Sequence, residues 1–248
     1  MRIKIPRKLK DDCILEALCE IRFSSPIPAE IVLGRLTDCE SWNGFRINRL
    51  PISNVPESIR MQDPGLRYQP SLELLEIGGN QRIRVGGNVI SLHVVKPYCG
   101  WNEFSKKLKE LTTCVFEKVD KVSIERIGFR YINAFNSKLH DIKNVNDLNI
   151  KIQSGDKEIS ELFNLNYLEI SDDTHKTLTK VATTNFMSGE LPADTSLVVD
   201  IDVSSTDKLS LKNIENTVEW LDSAHKYEKV AFFKLFKEDV LKTLVEEW

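Results

Sequence analysis

The sequence of 248 residues is poor in the features that announce chemistry. The phosphate-cradling GxxxxGK[ST] loop, the GxSxG nucleophile elbow and the HExxH metalloprotease pair are all absent. Four histidines stand apart, at 93, 140, 175 and 225, with no second histidine or cysteine at ligand spacing, which argues against a zinc site. Five cysteines, at 13, 19, 39, 99 and 114, form no CxxC pair, and their odd number argues against a disulfide framework. A reducing, cytoplasmic setting is the expectation, with Cys19 and Cys114 as small core residues. No base accompanies any cysteine to make a nucleophile. Charge of one sign is lacking too: 34 Lys and Arg against 37 Asp and Glu leave a net −3, with no bias toward DNA or anionic lipid. The apolar runs are far too short to cross a bilayer, so no membrane partner is expected. The basic start, Met1 to Asp12, lacks the apolar stretch of a secretory signal.

What is present is alternation. Residues 14–25, ILEALCEIRFSS, read as a first strand. Pro26 and Pro28 open a short helix with Ile31, Val32, Leu33 and Leu36 on its apolar side. Residues 44–80 read as irregular strands, clearest in FRINRLPIS and SLELLEIGGN. QRIRV and VISLHVV around Gly86, Gly87 and Asn88 predict a hairpin. Trp101, Phe104, Leu108, Leu111, Val115 and Val119 recur at helical spacing and predict an amphipathic helix ending near Asp120. Residues 137–148 read as a short helix and loop, 165–171 and 176–187 as strands, 188–195 as a turn and 196–205 as a strand. A long helix through Ile214, Val218, Leu221, Tyr227 and Val230 and a last helix over 238–247 close the chain.

The fold class is α+β: twisted antiparallel sheets with long packing helices. Ile21-Arg22-Phe23 and Phe129-Arg130-Tyr131 share an apolar–Arg–aromatic pattern, and each precedes several strands and a long helix. This predicts an internal duplication of a β-α-β-β-β-α unit, with halves at 1–122 and 123–248 packed as one unit, since no linker rich in Gly, Ser or Pro divides them.

The stretch VSIERIGFRYINAFN, 122–136, carries the most telling pattern. Ile127, Phe129, Tyr131 and Phe135 make a core face, and Ile124, Arg126, Gly128, Arg130, Ile132 and Ala134 the other. Gly128 leaves room beside the backbone, so two guanidinium groups could grip an anion there. In LVVDIDV, Asp200 and Asp202 share a face; they suit a hard cation such as Mg²⁺ or a cross-strand answer to the arginines. The ion-pair reading is the stronger, because half-buried charges are usually paired. Arg82 and Arg84 share another strand face and would build a basic groove for nucleic acid if their hairpin lay beside 124–135. A solvated outer face is the stronger reading for them. His93, among apolar neighbours, reads as a satisfied core or edge histidine.

At EIRF, RIGFRYIN, LVVDIDV and AHKYEKVAFFKLF, the chain resembles a sporadically distributed family of bacterial proteins of about this length. The resemblance runs from about Ile14 to Trp248, with Arg126 to Asn133 as its most specific block. Family members usually have leucine where Phe129 stands. The resemblance carries over no settled activity and no catalytic residue. Scattered occurrence implies horizontal spread, and so a role beside mobile elements, phage defence or a toxin–antitoxin pair.

The leading expectation is a non-enzymatic binding or regulatory protein. Arg126, Arg130, Arg22 and Gly128 would meet a protein partner or a small anionic ligand. The alternative is a divalent-metal enzyme acting on phosphate or nucleotide substrates, with Asp200, Asp202 and Glu169 holding Mg²⁺. A third expectation is nucleic-acid binding through Arg82, Arg84 and the basic start.

Overall fold

The computed structural model describes residues 5–186 and 190–248. The chain opens with β1 (Lys8–Leu9), β2 (Ile14–Ser24) and helix α1 (Ala29–Thr37). Next come β3 (Arg46–Arg49), α2 (Glu57–Gln62), β4 (Leu72–Leu75), and a hairpin of β5 (Gln81–Val85) and β6 (Val89–Val95). Helix α3 (Trp101–Lys118) leads into the long strand β7 (Ser123–Asn136). The remainder is β8 (Gln153–Ser154), β9 (Lys157–Glu158), β10 (Asn164–Ile170), β11 (His175–Thr183), β12 (Thr195–Ser205), α4 (Ile214–Lys234), α5 (Glu238–Leu244) and β13 (Val245–Glu247).

Among the described residues nine strands form one antiparallel sheet in the order β10-β11-β12-β7-β2-β6-β5-β4-β3, giving an α+β fold. β2 and β7 lie side by side at its centre, so the sheet runs unbroken across residues 122 and 123. Within the nine-stranded sheet, each half pairs its first strand with its last: β2 with β6, and β7 with β12. The expected β-α-β-β-β-α repeat fails in detail, because β7 is followed by a 3-10 turn and the β8–β9 hairpin where α1 has its place in the first half. β1 pairs with β13, tying the start of the described chain to its end.

Strand alternation sets the layers. Ile127, Phe129, Tyr131 and Phe135 of β7 face inward with Ile201 and Val203 of β12, and all are buried. α1, α3 and α4 cover this face: α3 packs on β6, α4 on β12, β11 and β7, and α1 on β5. Phe104, Leu108, Leu111 and Val115 carry the buried stripe of α3, each stabilising by roughly 1.5–3 kcal/mol through loss of exposed apolar surface. The opposite face, bare of α1, α3 and α4, carries the charged side chains of β2, β7 and β12, as an antiparallel sheet allows.

Several local expectations need correction. Ile31 is exposed; Ala29, Val32 and Leu36 form the buried side of α1. Segment 57–62 is helical, a short turn that starts after Pro56. Residues 137–148 hold only a 3-10 turn at Val145–Asp147, closed by an Asn144–Asp147 capping box. The buried face of α4 is Thr217, Trp220, Leu221, Ala224, Glu228, Phe232 and Phe233, while Ile214, Val218, Tyr227 and Val230 are only half-buried. The last helix stops at Leu244, and the chain then turns into β13. The predicted turn at 188–195 falls partly on residues 188–189, outside the described residues.

Candidate functional site

The arginine face is real, and it is internally paired. β7 runs antiparallel to both β2 and β12, which brings Glu20, Arg126, Arg130, Asp200 and Asp202 onto the bare face. Arg130 is bidentate on Asp200, with Nε–Oδ1 at 2.6 Å and Nη2–Oδ2 at 2.5 Å. The bond to Asp200 holds the Arg130 guanidinium above even its usual pKa. Arg126 donates to Glu20 and to Asp202, each at 3.1 Å. Arg22 donates to the same Glu20 oxygen at 2.7 Å and lies over the Tyr68 ring. Gly128 provides room for Arg126 itself: a Cβ on Gly128 would sit 2.8 Å from Arg126 Nη1. The gap beside the backbone is therefore filled by the neighbouring guanidinium.

The other predicted sites fare as follows. Asp200 and Asp202 are each taken by an arginine, and Glu169 pairs in register with Thr177, which places it on the opposite face of the sheet. Among the described residues no three metal-capable side chains cluster. The β5–β6 hairpin does not border β7, because β2 intervenes. Arg84 is bonded to Glu73 at 2.9 Å, and Arg82 lines a separate hollow with Arg46 and Glu76 at the sheet's end. His93 is buried and bonded to Glu16 and Ser91.

The unpredicted feature is a cleft of about 390 Å³ on the helical side. Its walls are the arm at 7–14, the ends of β2 and β7, the start of α3 and the middle of α4. Gly100 turns the chain into α3 at φ +83°, in the left-handed region that favours glycine, and so presents Trp101 to the cleft. Tyr98, Tyr131, Phe232 and Phe233 complete an aromatic lining. The Tyr98 and Tyr131 hydroxyls share a 2.6 Å hydrogen bond, and burial pushes both well above the usual phenol range. His225 stacks on Trp101 with ring centroids 3.8 Å apart. Burial, with Lys229 and Lys226 adding to it, pushes His225 down to about 3, so its ring is neutral at ordinary pH.

Glu228 is the polar group that sets this cleft apart. It sits in the buried stripe of α4, between Ala224 and Phe232, and is only 5% exposed. It has no hydrogen-bond or ion-pair partner among the described residues. Burial pushes its carboxyl up to about 8, against the opposing pull of Lys229. Lys229 is itself lowered by burial. Asn133 anchors the cleft floor, donating to the Val199 carbonyl and accepting from the Cys13 thiol. Burial raises that thiol well above its usual range and leaves it un-ionised. The arm is held as a wall by ion pairs of Arg7 with Glu247 and Lys8 with Glu246.

A readable signal for this site existed in the sequence: a glutamate in the apolar stripe Leu221, Ala224, Phe232 of an otherwise amphipathic helix. No helix of the described residues is long and apolar enough to cross a membrane. No family model and no curated protein matches the chain.

Proposed function

We propose that the chain is a binding protein for a small ligand, taken up in the cleft between the arm, α3 and α4. The arginine–carboxylate face then serves as scaffold. One observation carries this reading: Glu228 is a buried carboxyl with no hydrogen-bond or ion-pair partner among the described residues, lining an aromatic cleft of ligand size. A buried ionisable group with no partner costs stability, and such costs concentrate where function requires them. The paired arginines and aspartates support the opposite conclusion for the sheet face, since their hydrogen-bonding capacity is directed at each other.

The test is native mass spectrometry of the protein gently purified from its own host. Wild type should carry a small-molecule adduct. Ile14→Trp, which fills the cleft from its wall, should lose it while keeping the far-UV circular dichroism of the folded protein. An adduct equally abundant in both proteins contradicts the proposal.

A second reading, a protein partner, is supported by the edge strand β10. Its outer edge pairs with no strand among the described residues, and Leu168 and Ile170 are 58% and 68% exposed on the bare face. An extended segment of a partner pairing with β10 would cover both. On that reading, Leu168→Lys with Ile170→Lys abolishes partner binding without altering stability.

A further inference from the structure

We infer that the cleft takes a small organic cation, its ammonium group paired with Glu228 and its carbon body held among Trp101, Tyr98, Tyr131 and Phe233. This inference rests on the cleft being the ligand site and names the class of ligand. Three features converge on it. The Glu228 carboxyl has no donor among the described residues, so an arriving cation meets an acceptor with free capacity. The lining is rich in aromatic rings, whose π systems attract ammonium groups most strongly where water is excluded. His225 and the tyrosines do not supply that cation: His225 is neutral and stacked on Trp101, and the tyrosine hydroxyls bond each other.

The charges around Glu228 shape the expected behaviour. On α4 they are Lys229 and His225; on the arm they are Arg7, Lys8, Lys10 and Asp12. Arg7 and Lys8 are answered by Glu247 and Glu246, whereas Lys10 and Lys229 make no ion pair among the described residues. Those two lysines disfavour a bare cation at the cleft mouth. They favour a ligand that carries an anionic group at the end opposite its ammonium. The Cys13 thiol and the two phenols stay un-ionised through neutral pH. Because the free carboxyl holds its proton to about pH 8, cation binding expels that proton. Affinity for a cation that does not itself titrate should rise roughly tenfold per pH unit and level off above about 8. Loss of charge on Lys229, which burial lowers, acts in the same direction.

Choline and its neutral carbon isostere 3,3-dimethylbutan-1-ol make the matched probes. Titration into the full chain is followed by the NMR signals of the Trp101 indole and the Gly100 amide. Choline should bind at least tenfold more tightly than the isostere at pH 8, with phosphocholine tighter still. Glu228→Gln should reduce choline affinity at least tenfold at pH 8 and remove the tenfold-per-unit pH dependence. Equal binding of choline and isostere overturns the cation assignment and leaves the cleft as a ligand site. Inorganic phosphate that binds more tightly than choline, unaffected by Glu228→Gln, overturns it in favour of an anion. Signals unmoved by every probe at tens of millimolar overturn both the cation and the cleft.

Discussion

Arg126 lies across Gly128: a Cβ on that glycine would fall 2.8 Å from Arg126 Nη1, where the guanidinium bridges Glu20 and Asp202. The glycine is therefore a packing partner of the arginine. Gly128→Ala should destabilise by about 1 kcal/mol, since the displaced guanidinium loses two charge-assisted bonds. In an Arg126→Ala background the same change should be neutral or stabilising, because alanine is the better strand residue once the guanidinium is gone. Urea denaturation of the four proteins measures this coupling, and additive effects would refute it.

Arg130→Ala leaves Asp200, whose side chain is 8% exposed, without its bidentate partner. Removing one member of a fully buried pair costs about 3–5 kcal/mol. The Arg130 side chain is 38% exposed, so screening reduces the expected loss to about 2 kcal/mol. Chemical denaturation gives the value, and choline affinity should be unchanged. Weakened binding with undiminished stability would return the sheet face to the role of ligand site.

Asp200 and Asp202 are committed to arginines, so millimolar Mg²⁺ or Mn²⁺ should leave the melting temperature where it is. A rise that disappears in Asp200→Asn or Asp202→Asn would restore the metal-enzyme reading.

Glu228 should make the protein less stable as pH rises. Its folded pKa, about 8, lies above the unfolded value, so the folded state keeps a proton that the unfolded chain has lost. The contribution is fully present below the unfolded value of about 4.3. It is lost as pH climbs toward 8, by at most about 1.4 kcal/mol per pH unit. Lys229, which burial lowers, contributes a slope of the opposite sign where it titrates. Denaturation between pH 5 and 8 should show this slope in wild type. Glu228→Gln should lack it and be the more stable protein at pH 8. Parallel curves would mean that Glu228 does not hold its proton.

The sequence made the sheet legible wherever alternation was clean. The inward set of β7, the β5–β6 hairpin and the α3 stripe all stand where the pattern places them. The pairing of arginines with the DxD strand could be anticipated as chemistry, but its geometry could not. Arg130 stands opposite Asp202 in register yet bonds diagonally to Asp200, and Arg126 reaches Asp202 over Gly128. That choice depends on sheet twist and on the space left by the glycine. The cleft was hidden for another reason: Cys13, Tyr98, Tyr131 and Glu228 come from four separated segments that only meet when α3 and α4 dock on β7. Helical periodicity misplaced the α4 stripe, because Tyr227 and Val230 looked more apolar than Glu228. The buried glutamate is the position at which packing overrode composition.

The carboxyl of Glu228 can be followed directly by ¹³C NMR titration of the glutamate side chains, assigned by comparison with Glu228→Gln. The free protein should show one carboxyl with a midpoint near 8, moved downward when choline is added. A Glu228 midpoint near the ordinary 4.3, unmoved by choline, would contradict the central claim of a buried carboxyl that receives a cation.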